Sequence, residues 1–415
     1  MTIANKTINT SAIFHGDTII WIVLFLLCSV SIVEVYSASS NMSFKTGEFW
    51  HPILMHTLYL AMGVGVAWVV HRIPCRYFGW IVILGPAISI LLLILAFFTE
   101  SVNDAERWLK VGGFSFQPSE IAKGSLIIAV AWILSTMRDE KGATSVAFKW
   151  ILGVSVVICG LIAPENLSTA GLTFVVVLLM MYIGRVPWKH LTLLITALLI
   201  AGSAGLAFLK WAPDAVLDAT DGRVTTWASR LRHHTSAPDD PLQYDLSTNA
   251  QITQSHIAIA TCGIVGKGPG NSTVRDFLPQ AYSDFIYAII LEELGWLGGF
   301  IVMMLYIILL FRAGRIASRC EKNFPAFVIM GLALLISVQA LVNMSVAVGL
   351  FPVTGQPLPL VSRGGSSIMV NCAYIGMMLS VSRTARQKTG DPAPIGLDDS
   401  APTGLADQVP DAILV

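Results

Sequence analysis

The chain has 415 residues, 54% of them hydrophobic and 13% charged, with 26 basic residues balancing 26 acidic ones. A soluble domain carries roughly 25% charged residues, so the composition excludes an ordinary soluble protein and describes one embedded in a membrane. Zero net charge says little about partners, because the charges are sorted by membrane side; no nucleic-acid partner is expected.

Spanning the hydrocarbon core takes about 20 predominantly apolar residues in a helix. Ten runs fit: about 17–37, 52–71, 79–98, 119–136, 150–164, 168–184, 190–209, 284–312, 326–350 and 365–382. The predicted fold class is an all-α polytopic membrane protein with a long extracytoplasmic loop, 210–283, between the seventh and eighth spans. Residues 1–16 form a polar leader, 17–388 the transmembrane domain, and 389–415, rich in Pro, Asp and Gly, a disordered tail. The first run starts at Asp17 and lacks a small-residue cleavage site, so it reads as an anchor and not a removed signal peptide. Runs five and six are short and separated only by Pro164, Glu165, Asn166 and Leu167, the spacing of a tight helical hairpin.

Lys and Arg in the short loops set the orientation. With the N-terminus inside, the cytoplasmic segments hold Lys6, Arg72, Arg76, Arg138, Lys141, Lys149, Arg185, Lys189, Arg312, Arg315, Arg319, Lys322, Arg383, Arg386 and Lys388. The short external loops hold only Lys45, Arg107, Lys110 and Arg363. Both termini are therefore predicted to be cytoplasmic. Loops as long as 210–283 usually serve a purpose, so chemistry is expected on the outer face. The cysteines are scattered without a C-x-x-C pair, which implies neither a disulfide framework nor a zinc site. Adjacent His233 and His234 point different ways on any regular element and are not read as metal ligands.

The stretch NDAERWLKVGGFSFQPSEIAKG places Arg107, Trp108 and Lys110 in an external loop. A helix then starts at Gln117-Pro118-Ser119-Glu120, with Pro in its first turn. Glu120 and Lys123 are three apart and share a face. Two readings stand: a structural ion pair, or a cationic patch of Arg107, Lys110 and Lys123 for an anionic group, with Trp108 offering a flat face to a sugar or prenyl chain. In the long loop, Arg223 and Arg230 add positive charge. There too, GIVGKGPGNS (263–272) lacks the G-K-[ST] ending of a phosphate-binding loop. Its glycines predict a tight re-entrant turn, with Lys267 among exposed N–H groups as a phosphate contact.

In LPQAYSDFIYAIILEELG (278–295), Pro279 keeps the eighth span from starting earlier, which puts Ser283 or Asp284 near its N-cap. Asp284 is read either as a cap that meets the helix dipole or as a general base at the membrane boundary. Glu292 lies about 80° around the helix from Asp284 and about 12 Å deeper, with Glu293 on the opposite face. Ionisable groups at that depth are costly. Both glutamates are therefore read as structural ion-pair residues, with the fourth span as the candidate source of a buried cation. Last, GLFPVTGQPLPLVSRGGSSIMVN (349–371) holds three prolines within eight residues, which prevents a continuous helix. Such backbone is tolerable at membrane depth only when buried in protein or lining a cavity. Arg363 and Ser366 fall in this passage.

RWLKVGGFSFQPSEIAKG, AQITQSHIAIATCGIVGKGPGNS, FLPQAYSDFIYAIILEELG and GLFPVTGQPLPLVSRGGSS, in that order and with ten spans, resemble the signatures of the SEDS proteins (shape, elongation, division and sporulation), typified by FtsW and RodA. The resemblance covers roughly residues 15–388 and leans to the FtsW branch through the polar N-terminus and the GNS after the glycine run. It implies a peptidoglycan glycosyltransferase that polymerises lipid II, a disaccharide-pentapeptide on undecaprenyl diphosphate. The implied setting is the outer face of the bacterial inner membrane at the septum, with a class B penicillin-binding protein as transpeptidase and other division proteins as partners. Position by position, the family's essential loop aspartate falls on Asp284 and the acidic position eight residues earlier on Asp276. The family's Arg-Trp pair and helix-start lysine match Arg107, Trp108 and Lys123. Three departures stand out: Glu165 and Ser168 in PENLSTA where a PDLGT-like stretch is usual, Arg363 where tyrosine is common, and Cys262 in place of a paired glycine.

Such a transfer needs a base for the attacking hydroxyl and positive charge for the departing diphosphate. Asp284 is the expected base. Arg107, Lys123, Arg223, Arg230 and Lys267 are expected near the diphosphate, with Trp108, Glu120, Asp276 and Ser366 completing the substrate-binding set. A divalent cation, Mg2+ or Mn2+, fits that chemistry, and no organic cofactor is called for. A lipid II flippase and a non-catalytic division scaffold are the alternatives. The first leaves the outer gathering of charged residues unexplained, the second the outer loop.

Overall fold

The computed structural model describes residues 16–46, 51–98, 109–111, 114–211, 224–225, 227–228, 250–274 and 283–387. In chain order the helices are α1 (Thr18–Thr46), α2 (His51–Val70), α3 (Gly79–Phe97), α4 (Pro118–Thr136), α5 (Ser145–Ile162), α6 (Leu167–Ile183), α7 (Trp188–Trp211), α8 (Ala250–Thr261), α9 (Ile286–Ala317), α10 (Asn323–Ala347) and α11 (Gly365–Gln387). Among the described residues, nine are long and apolar enough to cross a membrane, and α6, at 17 residues, is a shorter apolar one. Each of the ten expected runs forms an apolar helix, α6 being shorter than the other nine. What the sequence reading lacked is α8, a helix of 12 residues inside the segment taken as loop. Two short antiparallel pairs accompany the helices: β1 (Leu109–Val111) with β2 (Phe114–Phe116) before α4, and β3 (Arg138–Asp139) with β4 (Gly142–Ala143) after it.

Local chemistry sets the helix boundaries. Pro118 opens α4 behind an extended Gln117, where its missing N–H costs nothing. Thr144 caps α5 by accepting from the Ala147 N–H at 3.2 Å. Asn166 caps α6 by accepting from Thr169 at 3.0 Å, which makes the predicted α5–α6 hairpin a tight one. Most side chains of α4, α10 and α11 lie inside the bundle, whereas α7 keeps nearly all of its own outside. Exposed Leu, Ile, Phe and Trp on α2, α3 and α7 then face lipid. Close approach in the interior uses glycine: a Cβ at Gly124 would come 2.3 Å from the ring of Tyr374.

The break in α9 positions the site. Gly295 adopts φ 70° and ψ −174° in mid-helix, a conformation open to glycine and costly for other residues. The break removes the bonds that Trp296 and Leu297 would donate to the carbonyls of Glu292 and Glu293, four residues back. The glycine-rich passage after α8 replaces them in kind. Lys267 and Gly268 N–H groups donate to the Glu292 and Glu293 carbonyls at 3.0 and 2.8 Å. Trp296 and Leu297 in turn donate to the carbonyls of Gly263 and Ile264 at 3.1 and 3.2 Å. Unpaired backbone is not tolerated in a membrane interior, so the helix breaks only where this loop is spliced in. A Cβ on Gly295 would meet the Ile264 carbonyl oxygen at 2.3 Å. Gly295→Ala is therefore expected to destabilise the protein by about 1–3 kcal/mol from backbone strain alone, read as a lowered thermal midpoint in detergent. An unchanged midpoint would contradict the splice.

Candidate active site

Alternating spans bring one set of helix ends together: the starts of α4, α6, α9 and α11 and the end of α10. Among them lies the non-helical passage 349–364, buried at Gln356, Leu358, Leu360, Val361 and Ser362. Its carbonyls are satisfied by side chains from the surrounding helices. Asn343 and Gln339 of α10 donate to the carbonyls of Gln356 and Pro357 at 2.7 and 3.1 Å. Tyr306 of α9 donates to Pro359 at 2.5 Å, and Ser31 of α1 to Val361 at 2.7 Å. This is the condition under which irregular backbone survives at membrane depth. Leu360 is held at φ 67°, a strained conformation for a branched side chain.

Asp284 stands against this passage in the turn that precedes α9, half-buried. Its backbone is pinned from behind: Ser362 Oγ donates to the Ser283 carbonyl at 2.6 Å, and Asn343 Nδ2 to the Asp284 carbonyl at 2.9 Å. Ser283 Oγ donates to Asp284 Oδ1 at 2.9 Å. Asp284 lies next to the N-cap, as expected. The N-cap of α9 is Phe285, which makes no side-chain cap bond; its ring is buried, and that apolar anchor starts the helix after Asp284.

Lys123 and Glu120 form the expected ion pair at 2.8 Å, with side chains 0% and 2% exposed. Lys123 Nζ also donates to Gln339 Oε1 at 2.8 Å, and so joins α4 through α10 to the Pro357 carbonyl. Tyr374 Oη donates to the Glu120 carbonyl. Both side chains are buried, and Lys123 Nζ is committed to Glu120 and Gln339. Gln356 Nε2 reaches Thr169 Oγ1 at the start of α6. Several buried oxygens at this end have no hydrogen-bond partner among the described residues: Glu120 Oε2, Asn343 Oδ1, Gln356 Oε1, Ser119 Oγ and Ser366 Oγ. Buried polar atoms are normally paired, so this end of the bundle offers hydrogen bonding to a polar ligand or water.

The turn 263–274 is re-entrant as expected, with positive φ at Gly263, Gly266, Gly268 and Gly270. The phosphate-cradle reading is corrected by what fills it, because the carboxylates of Glu292 and Glu293 occupy the N–H groups. Lys267 Nζ lies 2.5 Å from Glu292 Oε1, and 3.1 and 3.3 Å from the hydroxyls of Thr261 and Thr273. The partner of Glu292 is therefore this loop lysine and not a residue of α4. Glu293, expected in an ion pair, instead accepts from the N–H groups of Gly270 and Ser272 at 3.0 and 3.3 Å and from Ser37 Oγ of α1. Burial pushes the neighbouring Cys262 thiol above its ordinary value.

Arg107, Trp108, Arg223, Arg230 and Asp276 lie outside the described residues, as do His233 and His234. The sequence reading missed Gln339, Asn343, Gln356 and Ser362. A usable signal existed for two of them. Gln339 and Asn343 are four apart in an otherwise apolar helix, so two amides share one stripe.

A family model described as cell cycle protein, FtsW/RodA/SpoVE, matches residues 17–387. The chain is 31% identical over 378 residues to the probable peptidoglycan glycosyltransferase FtsW of a Geobacter species, across 89% of this chain and 97% of that one. It is 34% identical over 371 residues to the protein of the same description from Marinobacter nauticus, across 86% of each. Two solved structures share the fold. One is reported as "Structural coordination of polymerization and crosslinking by a peptidoglycan synthase complex", with a TM-score of 0.70, 22% identity, and coverage of 90% of this chain and 99% of that one. The other is the Thermus thermophilus rod shape determining protein RodA, with a TM-score of 0.62, 22% identity, and coverage of 91% and 98%.

Proposed function

Because the chain belongs to the FtsW/RodA/SpoVE family of cell cycle proteins, we propose that it is a peptidoglycan glycosyltransferase that polymerises lipid II, with Asp284 as the general base. The observation that carries this reading is the placement of Asp284. It is a half-buried carboxylate whose own backbone is pinned by Ser362 and Asn343, beside a passage surrounded by unpaired buried oxygens. A sugar hydroxyl of one lipid-linked disaccharide gives its proton to Asp284 and bonds to the anomeric carbon of a lipid-linked chain. The bond from that carbon to the diphosphate breaks, and undecaprenyl diphosphate leaves with the electron pair.

Growing charge on the diphosphate calls for cations. In this reading Arg107, Arg223 and Arg230 approach it, Trp108 flanks the sugar or prenyl chain, and Asp276 and Ser366 line the substrate. Lys123 acts through Gln339 on the shape of the passage. Among the described residues, no group of three or more His, Cys, Asp or Glu gathers to hold a metal ion. A divalent cation, Mg2+ or Mn2+, would come with the diphosphate, which brings most of its ligands.

The prenyl anchor stays in lipid, so the site opens sideways to the bilayer. Both termini are cytoplasmic in this reading, the site faces outward in the bacterial inner membrane at the septum, and a class B penicillin-binding protein is the partner. Proteoliposomes carrying labelled lipid II separate this from a flippase. Glycan strands are expected. Transbilayer movement of lipid II without polymer would overturn the assignment.

A further inference from the structure

Outside the proposed chemistry, two adjacent buried carboxylates stand out among the described residues, Glu292 and Glu293, both 0% exposed. Their carboxylates are engaged by one short loop, with Ser37 Oγ of α1 adding a bond to Glu293. Glu292 Oε1 accepts from Lys267 Nζ at 2.5 Å, Thr273 N at 3.2 Å and Thr273 Oγ1 at 2.9 Å. Glu292 Oε2 accepts from Ser272 Oγ and from Val274 N at 3.4 Å. With Glu293 holding Gly270 and Ser272, and the backbone splice holding 263–268, the turn is gripped along its length by two consecutive residues of α9 and the break beside them.

The same stretch of α9 begins two residues after Asp284. We propose that the Lys267–Glu292 pair is a positioning device for the reaction: it locks the 263–274 turn to the helix segment that directly follows Asp284, and so sets turnover without touching substrate. The inference rests on the glycosyltransferase reading. Desolvation cost argues for a specific role. Glu292 already accepts four bonds from Ser272, Thr273 and Val274, so its hydrogen-bonding needs are met without a cation. A buried ion pair is a weak source of net stability and a good way to fix register. Lys267, 30% exposed, is held in place by the Thr261 and Thr273 hydroxyls as well, which aims it at the carboxylate. Displacement of a remote support by about 1 Å can cost roughly 100-fold in rate.

The test uses the full-length protein with Lys267→Met, Lys267→Arg and Glu292→Gln, and reads lipid II polymerisation together with hydrogen exchange of the 263–274 amides. Lys267→Met is expected to lower kcat roughly 10- to 100-fold with KM for lipid II held and exchange protection reduced, and Lys267→Arg to restore both. Glu292→Gln, which keeps the shape and loses the charge, should behave like Lys267→Met. A rise in KM at constant kcat would make Lys267 a substrate contact and overturn the proposal. Lost protection with full kcat would make the pair merely structural and overturn it too. An inactive wild type would sink the glycosyltransferase reading instead, and the exchange measurement would then decide the lock alone: unchanged protection in Lys267→Met refutes it.

Discussion

Asp284→Asn is expected to lower kcat for lipid II polymerisation by roughly 10²- to 10⁴-fold, the range for loss of a general base. The substitution keeps size and an oxygen to accept from Ser283 Oγ, and it removes the basic site. Folding should survive, because Ser362 and Asn343 hold this turn by its backbone carbonyls at residues 283 and 284. KM for lipid II should then change little. Steady-state kinetics on protein whose thermal midpoint matches wild type is the check. A variant retaining kcat within a few-fold would remove Asp284 from the chemistry.

The second large effect is on stability. Lys123→Met leaves Glu120, 2% exposed, without its cation, and leaves Gln339 Oε1 without its donor. Breaking a buried pair from one side typically costs about 3–5 kcal/mol, because the remaining charge is uncompensated. Because Gln339 also supports the Pro357 carbonyl, the loss should spread to the passage beside Asp284. Replacing both partners, Glu120→Gln with Lys123→Met, removes both charges and should recover much of the loss. Thermal unfolding followed by tryptophan fluorescence reads all three forms. Equal midpoints for the single variant and wild type would show that the pair carries no structural load.

Much of the fold was legible because each span is a predominantly apolar run, broken by few charges, and several ends carry local chemistry. Pro118 opens α4 and Asn166 caps α6 where the sequence reading puts those starts. The glycine turn at 263–270 was readable too, since repeated glycine permits positive φ. What could not be read was partnership over distance. Glu292 was given a cation from the fourth span, yet its partner lies 25 residues upstream in the loop, brought back by a splice that exists only because Gly295 breaks the helix. Helical periodicity puts Glu292 and Glu293 about 100° apart on different faces, but a loop wrapped across the break reaches both. The start of α9 was legible to within a residue, with Asp284 beside the N-cap. The site's support, from Gln339, Asn343, Gln356 and Ser362, consists of side chains that bond backbone far away in sequence, and no local pattern specifies such partners.

The most direct measurement is product formation by the purified wild-type chain. It would be incubated with lipid II and a divalent cation, with and without a cognate class B penicillin-binding protein, and the products resolved on a gel. Glycan strands many disaccharides long, with lipid II consumed, are expected in the presence of the partner. Lipid II left intact under both conditions, by protein shown to be folded, would contradict the account.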